Sequence, residues 1–235
     1  MLAPAVRHLT FERGDGQPFA FVPGQFIQIH FHYADGKPTK RSYSVGTVGE
    51  GHGVVRRIEV AVSYVDGGAA TELLSQLDEG GTLNASGPYG RFCLMDTDTN
   101  KRYLLVATGT GVTPYRAMLP QIRALTEKRG CTFALVYGAR NESELLYSDE
   151  FEAFAHEVPG FSFHPCFSRT PRAVPCPHDR NGRAQVALGE LGPNAEHDIA
   201  YLCGNPNMVD ETFAMLKEAG LPVPHIRREK YVSSR

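Results

Sequence analysis

Tyr103-Leu104-Leu105-Val106-Ala107-Thr108-Gly109-Thr110-Gly111-Val112-Thr113-Pro114 is an apolar run that ends in a glycine turn and a proline. The apolar residues at its start suit a strand buried on both faces. Past the turn, Tyr115, Met118, Leu119, Ile122 and Leu125 recur at helical spacing. Thr113 can cap that helix and Pro114 suits its first position. A buried strand, a glycine turn and a helix in this order open a parallel α/β sheet. The turn falls where such sheets bind dinucleotide phosphates, although proline stands where the usual fingerprint has its third glycine.

The pattern repeats downstream. Phe133-Ala134-Leu135-Val136-Tyr137 reads as a second strand, residues 144–156 as a second helix, and Phe161-Ser162-Phe163-His164-Pro165-Cys166 as a third strand. Ile199-Ala200-Tyr201-Leu202-Cys203 reads as a fourth strand, with a helix over 206–219 that turns Val209, Phe213 and Leu216 inward. The Pro-, Arg- and Asn-rich stretch from about 170 to 183 reads as a loop. These units predict a doubly wound parallel sheet with helices on both faces. Upstream of residue 96 the texture changes. Short alternating runs, such as Phe26-Ile27-Gln28-Ile29-His30-Phe31 and Ile58-Glu59-Val60-Ala61-Val62-Ser63, are separated by glycine and proline. They predict an antiparallel β-barrel, interrupted by one helix near 71–77. Two domains are expected, 1–96 and 97–235.

Composition narrows the function. A net charge of −2 over 235 residues gives no global field for nucleic acid. No apolar run approaches the roughly 18 residues that cross a bilayer, so no membrane span is expected. No basic-then-apolar leader opens the chain, so secretion is not expected. Cys93, Cys131, Cys166, Cys176 and Cys203 lack the spacing of a zinc ribbon, a redox pair or a C-x4-C-x2-C iron–sulfur loop. Free thiols fit a reducing cytoplasm. His30 and His32 share one face of a strand and read as strand surface, so no metal site is expected.

Three further clusters carry chemistry. Arg41-Ser42-Tyr43-Ser44 offers a cation for a phosphate, a ring for a flat apolar partner and a hydroxyl for its edge. An edge strand with a surface arginine and a half-buried tyrosine reads equally well from these four residues alone. Gly67-Gly68-Ala69-Ala70-Thr71 leads into a helix and lets backbone amides approach a pyrophosphate, or is a plain turn. Cys203-Gly204-Asn205-Pro206-Asn207-Met208 puts a thiol at the carboxyl edge of the sheet, where it either lines a ligand or packs inertly. The second strand ends in Arg140 instead of the acid that grips a bare ribose. Ser168-Arg169 follows the third strand, and Arg183 lies beyond it. Such cations suit a 2′-phosphate, or are solvated surface.

Taken in order, R-x-Y-S (Arg41 to Ser44), G-x-x-T-x-x-L (Gly68 to Leu74), G-P-x-G (Gly87 to Gly90), G-T-G-x-x-P (Gly109 to Pro114) and C-G-x-P (Cys203 to Pro206) resemble the ferredoxin–NADP reductase family over essentially the whole chain. The resemblance implies an FAD-binding barrel, an NADP-binding α/β domain, and an active site at their junction. It implies that Arg41 holds the FAD pyrophosphate and Tyr43 stacks on the isoalloxazine. Ser42 and Val62 belong to the same cofactor site, Ser44 lies near flavin N5, and Gly68, Ala69, Ala70 and Thr71 supply amides. Gly109, Thr110, Gly111, Thr113, Pro114, Cys203, Gly204, Asn205 and Met208 would flank the nicotinamide end of NADP(H). Arg140, Ser168, Arg169 and Arg183 would read the 2′-phosphate. Ser44, Cys203 and Glu229 would form the reactive centre. Tyr231 would either cover the flavin or pack on its adenine while Lys230 faces the ring.

The implied reaction is hydride exchange between NADP(H) and FAD, with single electrons passing to ferredoxin or flavodoxin. A basic rim drawn from Arg7, Arg13, Lys37, Lys40, Arg56, Arg57, Arg227, Arg228 and Lys230 would steer such an acidic carrier. A monomeric cytoplasmic enzyme is expected. The rival readings are a free-flavin reductase, a reductase component of an oxygenase, and a non-catalytic dinucleotide sensor.

Overall fold

The computed structural model describes residues 3–49 and 54–232. Its first half contains strands β1 (Val6–Glu12), β2 (Phe19–Ala20), β3 (Phe26–His32), β4 (Pro38–Ser44), β5 (Val54–Val55) and β6 (Arg57–Ser63), helix α1 (Ala69–Ser75), and strand β7 (Asn84–Tyr89). Every pairing is antiparallel: β1 with β6, β2 with β5, and β3 with both β4 and β7. The two-residue period of β6 sends Ile58, Val60 and Val62 into one core with Phe21, Ile27, Ile29 and Val45, which Leu74 of α1 also joins. A Val45–Val60 bridge ties the end of β4 to β6. The barrel is open. The outer edges of β1 and β7 have no partner strand among the described residues, and a groove of about 1220 Å³ runs between them.

The second half runs β8 (Arg102–Thr108), α2 (Thr113–Arg129), β9 (Thr132–Ala139), α3 (Ser148–Glu157), β10 (Phe161–Phe167), β11 (Arg180–Asn181), α4 (Ala184–Glu190), β12 (Asp198–Gly204), α5 (Pro206–Glu218) and β13 (Ile226–Lys230). The parallel sheet has the order β11-β10-β9-β8-β12-β13. Chain direction across the sheet reverses between β8 and β12, which opens a crevice at their carboxyl ends. Tyr103, Leu105 and Ala107 pack with Tyr115 and Met118 of α2 and Phe151 of α3. Leu104 and Val106 face the other way, against Leu188 of α4 and Val209 of α5. The doubly wound sheet read from the apolar runs is therefore present.

Val6 and Ala61 of the barrel half share a core with α2. The segment joining the halves is pinned by charge: Asp98 receives Arg227 Nη2 at 2.5 Å and Nη1 at 2.7 Å. Arg227 is thus mostly buried in an ion pair and does not belong to an exposed rim. The stretch expected to be a loop contains β11. Neither α4 nor β13 was foreseen, because each is short and β13 alternates charged residues with few apolar ones. The helix expected from 144 starts at Ser148, because Tyr147 takes a left-handed backbone conformation with φ 58°. Thr113 is the first residue of α2, not its cap, since a tight turn over Gly109–Val112 precedes it. Among the described residues no helix is long and apolar enough to cross a membrane, and no group of three or more His, Cys, Asp or Glu side chains is placed to hold a metal.

Candidate active site

A cavity of about 500 Å³ lies where the two halves meet. Arg41, Ser42, Tyr43 and Ser44 line one side from the end of β4, and Gly68, Ala70 and Thr71 line it from the start of α1. Thr110 and Thr113 close it from the glycine turn, and Glu229, Lys230 and Tyr231 from the end of β13. The Arg41–Ser44 motif, the Gly68–Thr71 turn and the two threonines of the glycine turn therefore converge on one cavity, whereas Gly87 and Pro88 line the groove between β1 and β7 and Cys203–Pro206 lies behind the glycine turn.

Arg41 donates to Tyr33 Oη at 3.0 Å, Thr39 Oγ1 at 3.1 Å and the Lys40 carbonyl at 2.9 Å. None of these carries a charge, and among the described residues no carboxylate pairs with Arg41, so its positive charge stays available to an anion. Tyr43 is half-buried, and burial pushes its phenol up to about 12. Val62 departs from the expectation. It is only 1% exposed in the barrel core, and its neighbours Ala61 and Ser63 reach the cavity instead. Strand alternation forces this, because Val62 lies on the same face as Ile58 and Val60.

At the junction, Ser44 Oγ donates to Glu229 Oε1 at 3.4 Å and makes a short hydrogen bond with the Tyr231 hydroxyl. Tyr231 is held there by its backbone amide, which donates to the Gly204 carbonyl at 2.8 Å. The ring thus sits against Ser44, and the Lys230 ammonium pairs with Asp210 of α5 at 2.7 Å. Burial pushes the Glu229 carboxyl up to about 7, with the hydrogen bond from Ser44 opposing the shift. Burial and then the Glu229 carboxylate push the Cys203 thiol well up, with Tyr231 opposing. Cys203 is wholly buried and neutral, so it is not a thiolate nucleophile.

Two glycines let the crevice close. A Cβ on Gly111 would lie 2.3 Å from the Cys203 carbonyl oxygen, and one on Gly204, at φ +128°, would lie 2.5 Å from the Thr108 carbonyl oxygen. The glycine turn therefore sits directly on the end of β12. Gly109, at the rim, receives the Tyr137 hydroxyl on its carbonyl at 2.9 Å. Pro114 is buried as the second residue of α2. Thr113 is 2% exposed, with its hydroxyl toward that of Tyr147. An uncompensated arginine and a flat half-buried ring lining one cavity fit a phosphate-bearing cofactor with a flat ring, such as a flavin. Asn205 serves chiefly as a cap: its side chain accepts from the Asn207 amide at 2.9 Å. Met208 points into the opposite core with Leu104 and Val209, away from the cavity.

The far end of the crevice is different. The Ser168 amide donates to the Ala139 carbonyl at 2.9 Å and the Arg169 amide to the Arg140 carbonyl at 3.0 Å, which places these residues side by side. Arg140 is clamped by Glu144, with Nη2 at 2.5 Å and Nε at 2.9 Å from the two carboxylate oxygens. Sequence reasoning missed Glu144, although its four-residue spacing from Arg140 signals a local ion pair. Arg183 lies 3.6 Å from Glu211 of α5, and Arg169 has no ion pair among the described residues.

Comparison with known proteins agrees with the two-domain fold. Residues 2–93 match the oxidoreductase FAD-binding domain and residues 105–213 the oxidoreductase NAD-binding domain. A ferredoxin–NADP reductase B of Sorangium cellulosum is 35% identical over 98% of this chain and 93% of its own length. The chain belongs to the ferredoxin–NADP reductase family. It is an FAD- and NAD(P)-binding oxidoreductase. Relatives extend beyond carrier reductases. The phenol hydroxylase P5 protein of Acinetobacter pittii is 28% identical over 99% of this chain, which spans 63% of that protein. The crystal structure of an Amycolatopsis cytochrome P450 reductase superposes with a TM-score of 0.82 at 29% identity, over 98% of this chain and 66% of that one.

Proposed function

We propose that the chain is a ferredoxin- or flavodoxin–NADP(H) reductase that works at the junction cavity, with residues 1–96 as the FAD domain and 97–235 as the NADP domain. The observation that carries this reading is the convergence on one cavity of uncompensated Arg41 with hydrogen-bonded Ser44, Glu229 and Tyr231, with Cys203 buried behind them against Gly111. Bound flavin supplies the conversion of a two-electron hydride from NADPH into single electrons for a carrier. The protein supplies orientation and electrostatics. Arg41, with the amides of Gly68, Ala69, Ala70 and Thr71, holds the pyrophosphate, and Tyr43 and Ser42 border the ring. Ser44 Oγ and Cys203 Sγ fix where the nicotinamide stacks, and Glu229 keeps a proton at its carboxyl below a pH of about 7. Tyr231 excludes water from Ser44 and gives way when the nicotinamide enters.

NADPH is preferred to NADH through Arg140, Ser168 and Arg169. A charge-assisted contact to one extra phosphate contributes roughly 1.5–3 kcal/mol before losses. The clamp of Glu144 on Arg140 takes part of that back. Arg183 is occupied by Glu211 and contributes least.

The test is mass analysis of the released flavin, followed by NADPH, NADH and carrier assays on the purified protein. FAD, at least a tenfold NADPH preference and rapid ferredoxin or flavodoxin reduction are expected. FMN, or equal kcat/KM for the two dinucleotides, contradicts the reading.

One observation favours a second reading, the reductase component of an oxygenase system. Most arginines and lysines of the expected rim are locally engaged. Arg13 pairs with Asp15, Lys37 with Asp35, and Arg57 with Glu12, while Arg7 donates to Tyr64 and the Leu74 carbonyl. Of the nine rim residues, only Lys40, Arg56 and Arg228 lack a carboxylate partner or such an anchor among the described residues, and Arg228 stacks on Phe213 at 3.7 Å. That is a thin field for an acidic carrier. Carrier reduction that is insensitive to salt between 0.01 and 0.1 M, where the Debye length falls from about 30 to about 10 Å, supports the second reading.

A further inference from the structure

Arg116 lies three residues after Thr113, and its guanidinium joins elements from both halves of the molecule. Its side chain is only 12% exposed. Nη1 donates to the Gly46 carbonyl at 2.8 Å and to Glu59 Oε2 of β6 at 2.5 Å, and Nε donates to Glu150 Oε2 of α3 at 2.7 Å. The guanidinium also stands 4.7 Å from the centre of the Tyr147 ring. Tyr147 is the one non-glycine residue with positive φ among the described residues.

Gly46 is two residues beyond Ser44 and is held from several sides. Its amide donates to the Glu59 carbonyl at 2.7 Å, and the Glu59 amide donates to Thr47 Oγ1 at 2.7 Å. A Cβ on Gly46 would come within 2.7 Å of Thr113 Cγ2, so the strand end and the helix start touch backbone to side chain. His8 Nε2 lies 3.6 Å from Glu59 on the other side.

The geometry points to Arg116 as a positioning residue for hydride transfer, a latch that fixes the distance between Ser44 and the glycine turn. The inference rests on the proposed function and deepens it. Ser44 belongs to the wall formed by β4, and Thr110 and Thr113 belong to the wall formed by the turn. Arg116 ties the backbone two residues past the first wall to the helix three residues past the second. Its planar fork reaches Gly46, Glu59 and Glu150 together, which a lysine point charge cannot reproduce. Loss of the latch leaves each wall intact and loosens their spacing. Displacement of about 1 Å can cost on the order of 100-fold in rate.

The test compares wild type, Arg116→Gln, Arg116→Lys and Glu150→Gln as FAD-loaded proteins, by anaerobic stopped-flow bleaching with NADPH and by hydrogen exchange without NADPH. FAD content and melting temperature are measured alongside. For Arg116→Gln, the limiting bleach rate is expected to fall tenfold or more while the NADPH dissociation constant moves less than threefold. Arg116→Lys recovers part of the rate, and Glu150→Gln, which leaves the Gly46 and Glu59 arms, loses only a fewfold. Exchange rises at Gly46, Thr47 and Glu59 and not within β8 or β9. Wild-type protein that bleaches, beside an Arg116→Gln protein that keeps its FAD and bleaches equally fast, overturns the latch and leaves the proposed function standing. Should Arg116→Gln fail to fold, an unchanged rate in both Arg116→Lys and Glu150→Gln overturns it. Wild-type protein that never bleaches overturns the proposed function, and unchanged exchange in Arg116→Gln then overturns the latch separately.

Discussion

The two ends of the crevice are built on opposite principles. At the junction end the groups are buried and interlocked: Cys203 is inaccessible, Ser44 is 5% exposed, and Glu229 holds its proton to a pH of about 7. At the outer end the groups are exposed and charged, and Arg140 and Arg183 each have a carboxylate beside them. A buried, neutral end fixes geometry, whereas an exposed, charged end chooses between ligands of different charge. Changes at the first end should therefore alter rate, and changes at the second should alter selection.

The largest expected effect is that of Cys203→Ala. If, as proposed, Tyr231 gives way and uncovers the thiol as the nicotinamide's lateral stop, its loss should slow bleaching at saturating NADPH about 100-fold with little change in the dissociation constant. Rapid-mixing spectra check this, and a rate equal to wild type would return Cys203 to inert packing.

Glu229→Gln comes next. In the folded protein the carboxyl titrates near 7, above its ordinary 4.5, because burial disfavours the charge. The fold therefore retains a proton that the unfolded chain has lost, and stability falls as pH rises from about 4.5 to about 7. The glutamine variant should be roughly 1–3 kcal/mol more stable than wild type at pH 8, allowing for partial exposure, and equal to it at about pH 4, below the ordinary carboxyl pKa. Urea unfolding at both pH values checks the sign. The limiting bleach rate of the variant should also lose its inflection near pH 7.

At the outer end the effects are smaller. Arg140→Ala should weaken NADPH about tenfold, or about 1.4 kcal/mol, and leave NADH unchanged. Glu144→Gln should do the reverse, tightening NADPH a fewfold as it frees Arg140 from an exposed pair that contributes about 0.2–1 kcal/mol. Equilibrium titration with both dinucleotides reads both variants, and equal responses to NADPH and NADH would erase the contrast between the two ends.

Legibility in the sequence follows the same division. Tyr103 to Pro114 announced the parallel sheet because a run buried on both faces followed by a glycine turn has few other uses. The junction residues were readable because β4, the turn and β12 each end at a motif. What was not readable depended on tertiary pairing. Val62 looked like a site residue until the alternation of β6 assigned it to the core. Met208 follows the Cys203 motif yet packs on the opposite face, since the first turn of α5 rotates it away. Arg227 read as rim because Asp98, its partner, lies 129 residues away in sequence. β13 escaped notice because Arg227, Arg228 and Lys230 make a charged strand that only the edge of a sheet tolerates.

The division between rate and selection is tested most directly by one anaerobic NADPH titration of flavin bleaching, run on wild type, Cys203→Ala and Arg140→Ala. The account predicts that Cys203→Ala lowers the limiting rate at an unchanged dissociation constant, and that Arg140→Ala raises the dissociation constant at an unchanged limiting rate. If both variants shift the same parameter, the two ends of the crevice do not divide the work and the account is wrong.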